Sequence, residues 1–567
     1  MRPLLLHHKE CAPPARAEVD SGTLEGFVHS VSGKECEVYL GVPYAAPPVG
    51  ELRFKKPQRT QPWKGVRKCK RFGPRSIQRD MFWDKVVLQT PQSEDCLYLN
   101  VFAPKKEEGK TYPVFFYIHG GGFMMDSAAK YGYKEMCEQL ITKDIIVITI
   151  QYRLGFLGFF SLRNSSCKGN FGLWDQVAAL EWTKRNVRAF GGDPSRITVG
   201  GQSAGAVSAD LLSLSPVSRD LFTQKIAMGG SAYCHWAVSD SSEISEFCRN
   251  KARSLGWKPK GKNFITEEEE DAAMLDFLRN VPAHKFGCHM IGTKEVFEEA
   301  RLPLTPVIDG ELLPAPIPVL RAEAPQKPSI GGVGEYESLL FVALGFIRCN
   351  GKFLEKVQSI LARKAKGISL KEMQEALREI YGDAKGKNKK EVARICVILL
   401  SDLVSNYANF QYMREAEMIE KPTYMYSLDF TSRNMWGWMK AVIPFCERRG
   451  THASELLYLF KCNYFVAPLP MDANDRAVAD LMPKLFANFV KHGDPNSAET
   501  RDRGVQWEPL EPGKKQVLSI CPETAMRREA FDGRLENLDR LFRKLNLDQR
   551  YNIMKRRRNQ SIIESIP

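Results

Sequence analysis

The residues with the strongest chemical character form a short run, Gly201-Gln202-Ser203-Ala204-Gly205, in which a serine stands one residue in from a glycine on each side. A G-x-S-x-G run between a strand and a helix holds the serine hydroxyl clear of the backbone on a tight turn, with glycine relieving the crowding. The helix that follows presents its N-terminal amides to developing negative charge. A second run, His119-Gly120-Gly121-Gly122-Phe123, brings successive side-chain-free amides close enough to surround an oxygen. The implied chemistry is attack of Ser203 on a carbonyl carbon, with the oxyanion held by the N–H groups of Gly121, Gly122 and Ala204. A base is then required. The chain has nine histidines, of which His452 and His492 lie in its last quarter; His492, beside lysine, glycine and proline, reads as surface. His119 reads as structural.

The elements needed to position these groups are visible around them. Val114-Phe115-Phe116-Tyr117-Ile118 and Ile145-Ile146-Val147-Ile148-Thr149-Ile150 are apolar, β-branched or aromatic runs of strand length, suited to a sheet covered on both faces. Leu173, Val177, Leu180 and Val187 recur at helical spacing until Gly191-Gly192-Asp193-Pro194 stops the helix. A short strand is expected over Ile197-Thr198-Val199. A helix carrying Val207, Leu211 and Leu214 then runs to Pro216. Alternating strands and helices predict an α/β fold with a large, mostly parallel central sheet. Glu267 to Asp271 and Lys385 to Lys390 read as exposed loops or loop edges.

Composition narrows the function classes. The 567 residues are 43% hydrophobic and 26% charged, which excludes a disordered or fibrous chain. Lys and Arg number 81 against 67 Asp and Glu, a formal charge of +14, but they are scattered. Lys555-Arg556-Arg557-Arg558 is the tight cluster and reads as a solvated tail, so no nucleic-acid partner is expected. No apolar run reaches 18 residues, so no transmembrane segment is expected. Leu4-Leu5-Leu6 is too short for a secretory leader, which favours the cytoplasm. H-E-x-x-H, Walker A and G-x-G-x-x-G patterns do not occur, so metal and nucleotide chemistry lose their usual support.

Several longer motifs carry a family resemblance. Gly41-Val42-Pro43-Tyr44-Ala45, Ser93-Glu94-Asp95-Cys96-Leu97-Tyr98-Leu99-Asn100, Gly169-Asn170-Phe171-Gly172-Leu173-Trp174-Asp175-Gln176 and the serine turn stand in one order. From about Gly22 to about Phe542 the chain resembles the type-B carboxylesterases and cholinesterases of the α/β-hydrolase fold. The resemblance implies one catalytic domain over 18–548, between an N-terminal tail, 1–17, and a basic C-terminal tail, 549–567. It implies a serine hydrolase that cleaves carboxylic esters through an acyl-enzyme, with no metal or organic cofactor. The family order of serine, acid and histidine points to His452, in Gly450-Thr451-His452-Ala453-Ser454-Glu455. It also points to Glu337, in Gly334-Glu335-Tyr336-Glu337-Ser338; a two-residue slip would exchange Glu337 for Glu335.

Further correspondences concern the substrate and the scaffold. Gln202 replaces the glutamate that precedes the serine in cholinesterases, and Trp83 lies in the cysteine loop without matching the family tryptophan's offset. Ala300 and Leu302 correspond to phenylalanines that narrow the family's acyl pocket, so a wider pocket and a general carboxylesterase acting on small-molecule esters are expected. Arg153 with Asp175 and Arg53 with Glu94 resemble the family's buried ion pairs. Cys69 and Cys96 match its first disulfide, whereas Cys248 lacks a near partner for the second. That disulfide and the sequons at Asn164 and Asn559 favour the secretory pathway, against the missing leader. Leu538, Leu541 and Leu545 of the C-terminal helix, 535–547, pack on their own domain or pair subunits as a homodimer. The competing function is a catalytically silent or slow-turnover binding and adhesion member of the same fold, but such members typically lack a triad residue.

Overall fold

The computed structural model describes residues 13–547, apart from the short stretches 82–83, 86–89, 260–265, 289–300, 346, 366, 416–419, 433, 435, 438–442, 444–448 and 463–469. Trp83, Ala300, Asn559 and the Lys555 to Arg558 cluster therefore lie outside the described residues. The strands are β1 (Pro14–Val19), β2 (Gly22–Val31), β3 (Lys34–Pro43), β4 (Val66–Lys68), β5 (Tyr98–Pro104), β6 (Tyr112–Ile118) and β7 (Ile146–Ile150). They continue as β8 (Gly192–Gln202), β9 (Gln224–Met228), β10 (Ser329–Gly334), β11 (Thr423–Leu428), β12 (Val517–Ile520) and β13 (Ala525–Arg527).

These form one sheet in the order β1-β2-β3-β5-β7-β6-β8-β9-β10-β11-β12-β13, with β4 paired to β2. From β7 to β12 every pairing is parallel, and antiparallel strands close both ends. The central β6 and β7 are buried at every position, as apolar strands covered on both faces must be. Two large apolar clusters fill the two sides of the sheet. This is the α/β fold with a mostly parallel sheet expected from the alternation of elements, and it is consistent with the α/β-hydrolase fold that the resemblance implies.

The helix expected before the serine runs Phe171–Asn186 and ends through a 3-10 turn, Val187–Phe190, with Gly191 left-handed at φ 81°. The strand behind it is longer than Ile197 to Val199: pairing with β6 draws it out from Gly192 to Gln202. The next helix is Ala204–Leu214, stopping before Pro216. Pairing also begins earlier than the expected tail boundary, because Pro14 already faces Phe27 across β1 and β2. Glu267 to Asp271 is not a loop but the first turn of a helix, Glu267–Arg279. The Thr266 hydroxyl accepts from the Glu269 N–H there, and the acidic run suits the positive end of the helix dipole. The C-terminal helix, Arg534–Lys544, buries Leu535, Leu538 and Phe542 within the chain's own third apolar cluster. Among the described residues no helix is long and apolar enough to cross a membrane.

Both expected ion pairs form. Asp175 accepts from the Arg153 backbone N–H at 3.0 Å, from Nε at 2.8 Å and from Nη2 at 2.7 Å, tying the end of β7 to the helix before the serine. Arg53 Nε donates to Glu94 Oε1 at 2.6 Å, and its Nη1 reaches the carbonyls of Leu278 and Val281. The structure holds no bond between Cys69 and Cys96. Cys69 and Cys96 are separate buried thiols. The Cys69 backbone is bonded to Glu25 and Leu40 along the β2–β3 edge, whereas the Cys96 side chain lies against Ser76, near the Arg153–Asp175 pair. Burial pushes both thiols up to about 12. Asn164 donates its amide to Asp271 at 2.5 Å, an internal use of the sequon's acceptor nitrogen. Iodoacetamide added at pH 8 should leave both cysteines unmodified in the native protein and alkylate both after unfolding without reductant. A Cys69–Cys96 cross-linked peptide in the mass spectrum would contradict the structure.

Candidate active site

Ser203 sits where β8 turns into the Ala204–Leu214 helix, at φ 59° and ψ −124°. A non-glycine residue in that conformation is strained, and here the turn is clamped from both sides. The Ser203 N–H donates to the Met228 carbonyl at 2.8 Å. A Cβ added at Gly201 would stand 2.4 Å from the Gly205 carbonyl carbon, and one at Gly205 would stand 2.0 Å from the Ile118 oxygen. The glycines on either side are thus required by space, not by their own backbone angles.

The loop leaving β6 meets the same turn. A Cβ at Gly120 would lie 2.6 Å from the Gln202 oxygen, while Gly121 and Gly122 take left-handed φ values of 92° and 59°. Among the described residues the N–H groups of Gly121, Gly122 and Ala204 have no protein acceptor. They can therefore serve a substrate oxygen, and the start of a helix behind Ala204 favours negative charge there. His119 is buried, stacks on Tyr152 with centroids 4.5 Å apart and turns Nδ1 toward the Gly120 carbonyl; burial lowers its pKa. It supports the loop.

Two segments from β10 and beyond β11 complete the cluster. Ser203 Oγ is 2.7 Å from His452 Nε2, and His452 Nδ1 is 2.5 Å from Glu337 Oε2. The Gly334 N–H donates to the other oxygen, Glu337 Oε1, at 2.6 Å. This geometry fits a neutral imidazole with its proton on Nδ1 and its Nε2 lone pair toward the serine. Glu335 takes another direction, pairing with Arg449 at 2.9 Å and Arg534 at 3.7 Å. His492 ends a helix, Ala473–His492, on the exposed surface. Ser203 and His452 line a cavity of about 770 Å³, with Gly121, Gly122, Gln202 and Leu302 also in its wall, and Glu337 is fully buried behind His452.

One residue of this site escapes sequence reasoning. Glu455, three positions after His452, is fully buried, and neither carboxyl oxygen makes a well-formed hydrogen bond. Burial, then the neighbouring Glu337 charge, pushes its carboxyl well above the usual range, while the Gln202 amide pulls it down. Gln202 Nε2 itself stands 3.3 Å from His452 Nε2. The signal available in the sequence is one carboxylate opening an otherwise apolar run, Leu456 to Phe460.

Residues 13–537 match the Carboxylesterase family, and the chain belongs to that family of carboxylic ester hydrolases. Esterase cest-33 of Caenorhabditis elegans is 32% identical over 530 residues, covering 92% of this chain and 93% of that protein. Bile salt-activated lipase of Bos taurus is 30% identical over 86% of this chain and 81% of its own length. Pyrethroid hydrolase Ces2a of Mus musculus is 30% identical over 94% and 92% respectively.

The raised Glu455 pKa has a definite consequence for stability. A buried acid that binds its proton more tightly when folded contributes most below the ordinary carboxyl pKa, and that contribution is lost as pH rises toward the folded value. Glu455→Gln carries no such loss. Its thermal midpoint should match wild type near pH 4.5 and exceed it by a growing margin up to pH 8; a constant difference would show that Glu455 is ionised.

Proposed function

We propose that the chain hydrolyses carboxylic esters through a covalent acyl-enzyme, with Ser203 as nucleophile, His452 as base and acid, and Glu337 as orienting acid. The observation that carries the proposal is the continuous contact of these three side chains, of which Ser203 and His452 line the cavity, beside three unsatisfied amides. As Ser203 Oγ attacks the ester carbonyl carbon, its proton passes to His452 Nε2, and the oxyanion is received by the N–H groups of Gly121, Gly122 and Ala204. The tetrahedral intermediate expels the alkoxide, which takes the proton from His452 and leaves as alcohol. Water then attacks the acyl-enzyme, gives a proton to His452, and Ser203 recovers it as the acid departs.

Glu337 holds the imidazole in the required tautomer and stabilises the imidazolium. Gln202 puts a neutral amide beside the serine, which supports a general ester substrate over a cationic one. The names of the relatives, which include esterases, a lipase and a pyrethroid hydrolase, support the same reaction class.

A fluorophosphonate probe should label wild type and not Ser203→Ala, and wild type should turn over p-nitrophenyl esters. Labelling without turnover would favour ligand sequestration; no labelling of folded wild type would overturn the reading. The choice of acid has its own test. Glu337→Gln should lower kcat by about 10⁴-fold, the order seen when an orienting carboxylate becomes an amide. Glu335→Gln should leave kcat within a few-fold; the reverse ranking would reassign the acid.

A further inference from the structure

Glu337 meets His452 only while the backbone beneath it presents its carboxyl in one direction. That backbone runs from the end of β10 into a short helix, Leu339–Ala343, and lies along residues 450–452. The Tyr336 N–H donates to the Gly450 carbonyl at 2.9 Å, and a Cβ at Gly334 would stand 2.7 Å from the Gly450 carbonyl carbon. The His452 N–H donates to the Glu337 carbonyl at 3.3 Å. The two residues are thus joined through their backbones as well as through their side chains.

Two buried hydroxyls act on the peptide group between Glu337 and Ser338. At its carbonyl end, Thr451 Oγ1 donates to the Glu337 oxygen at 3.4 Å and accepts from the Leu340 N–H at 2.9 Å. That N–H belongs to the first turn of the Leu339–Ala343 helix, so no carbonyl of that helix takes it. With its one proton committed to Glu337 and a lone pair to Leu340, the hydroxyl is fixed in rotation. At the amide end, the Ser338 N–H donates to Ser401 Oγ at 3.0 Å. Ser401 closes the helix Lys389–Ser401, and the Ser338 hydroxyl donates to the Val397 carbonyl of that same helix at 2.8 Å. Thr451 and Ser401 are both buried, so neither bond is shared with solvent.

A peptide group is planar, and one that is held at both its C=O and its N–H does not turn. We propose that Thr451 and Ser401 are positioning residues for the ester hydrolysis: their hydroxyls fix the plane of the 337–338 peptide and so aim the Glu337 carboxylate at His452 Nδ1. The inference rests on the ester-hydrolase reading with Glu337 as its acid, and adds the groups that keep acid and base in register. Neither residue lines the cavity at Ser203, so their loss reaches the reaction through Glu337 and not through the binding of substrate.

The test is kcat and KM for p-nitrophenyl acetate, with kcat counted per fluorophosphonate-labelled site. Thr451→Val keeps the shape of the side chain and removes its hydroxyl. It should lower kcat by about ten- to a hundredfold with KM unchanged, the order of loss that a small misplacement of a catalytic group causes. Thr451→Ser restores the hydroxyl and should recover most of that loss. Ser401→Ala should show the same loss in kcat alone, and it decides the matter if Thr451→Val does not fold. In a Glu337→Gln background neither substitution should cost much more, because both act through that carboxylate. A loss as large in that background as in wild type, a rise in KM in place of a fall in kcat, or no recovery in Thr451→Ser overturns the positioning role and leaves the ester-hydrolase reading intact. Wild-type kcat in Thr451→Val and Ser401→Ala does the same, and failure of both to fold marks the hydroxyls as structural. Folded wild type that neither hydrolyses the ester nor takes the label overturns both readings.

Discussion

At Gly205 the backbone of the serine turn passes so close to the end of β6 that a single added carbon would stand 2.0 Å from the Ile118 oxygen. This contact between the turn after β8 and the loop after β6 is what the site is built on. It presses Ser203 into φ 59° and brings the Gly120 to Gly122 loop against the same turn. Ser203 and the amides facing it are therefore set by one packing constraint. The strain at Ser203 persists because β6 and the 197–202 end of β8 are buried central strand segments that cannot shift to relieve it.

The charged groups around this centre are arranged in the same economical way. Glu337 divides its two oxygens between the Gly334 amide and the His452 ring, so the carboxylate is anchored before it orients anything. Burial, and then the neighbouring Glu337, push the Glu455 carboxyl well above the usual range. Farther out, Arg153 with Asp175 and Arg53 with Glu94 join loops to helices. Buried pairs of this kind specify which segments meet more than they add net stability.

Much of the fold and part of the site could be read from the chain alone, and the reason is locality. The strand runs ending at Ile118 and Ile150, the helix after Phe171 and β11 are short segments whose side-chain pattern states its own period. The serine turn and the glycine loop are equally local, since each needs its glycines within a few residues of the group it presents. The acidic run at Glu267 misled because Thr266 caps it from the preceding residue, turning a loop-like composition into a helix start. The length of β8 was hidden because its first residues are Gly192, Asp193 and Pro194, poor strand formers that join the sheet only by pairing with β6.

What depended on distant segments could not be read in that way. Glu335 and Glu337 are two residues apart in similar local sequence, and only the directions in which they meet Arg449 and His452 separate them. The spacing of Cys69 and Cys96 is compatible with a bond, yet the two thiols are unbonded in the structure. Glu455 gains its meaning from Glu337 and Gln202, which pack beside it, not from its neighbours in the chain. The sequence alone thus singled out Ser203, its glycines and His452, because the motifs that carry them are written in adjacent residues. That Glu337 rather than Glu335 meets His452 came from contacts across more than a hundred residues, where spacing carries no directional information.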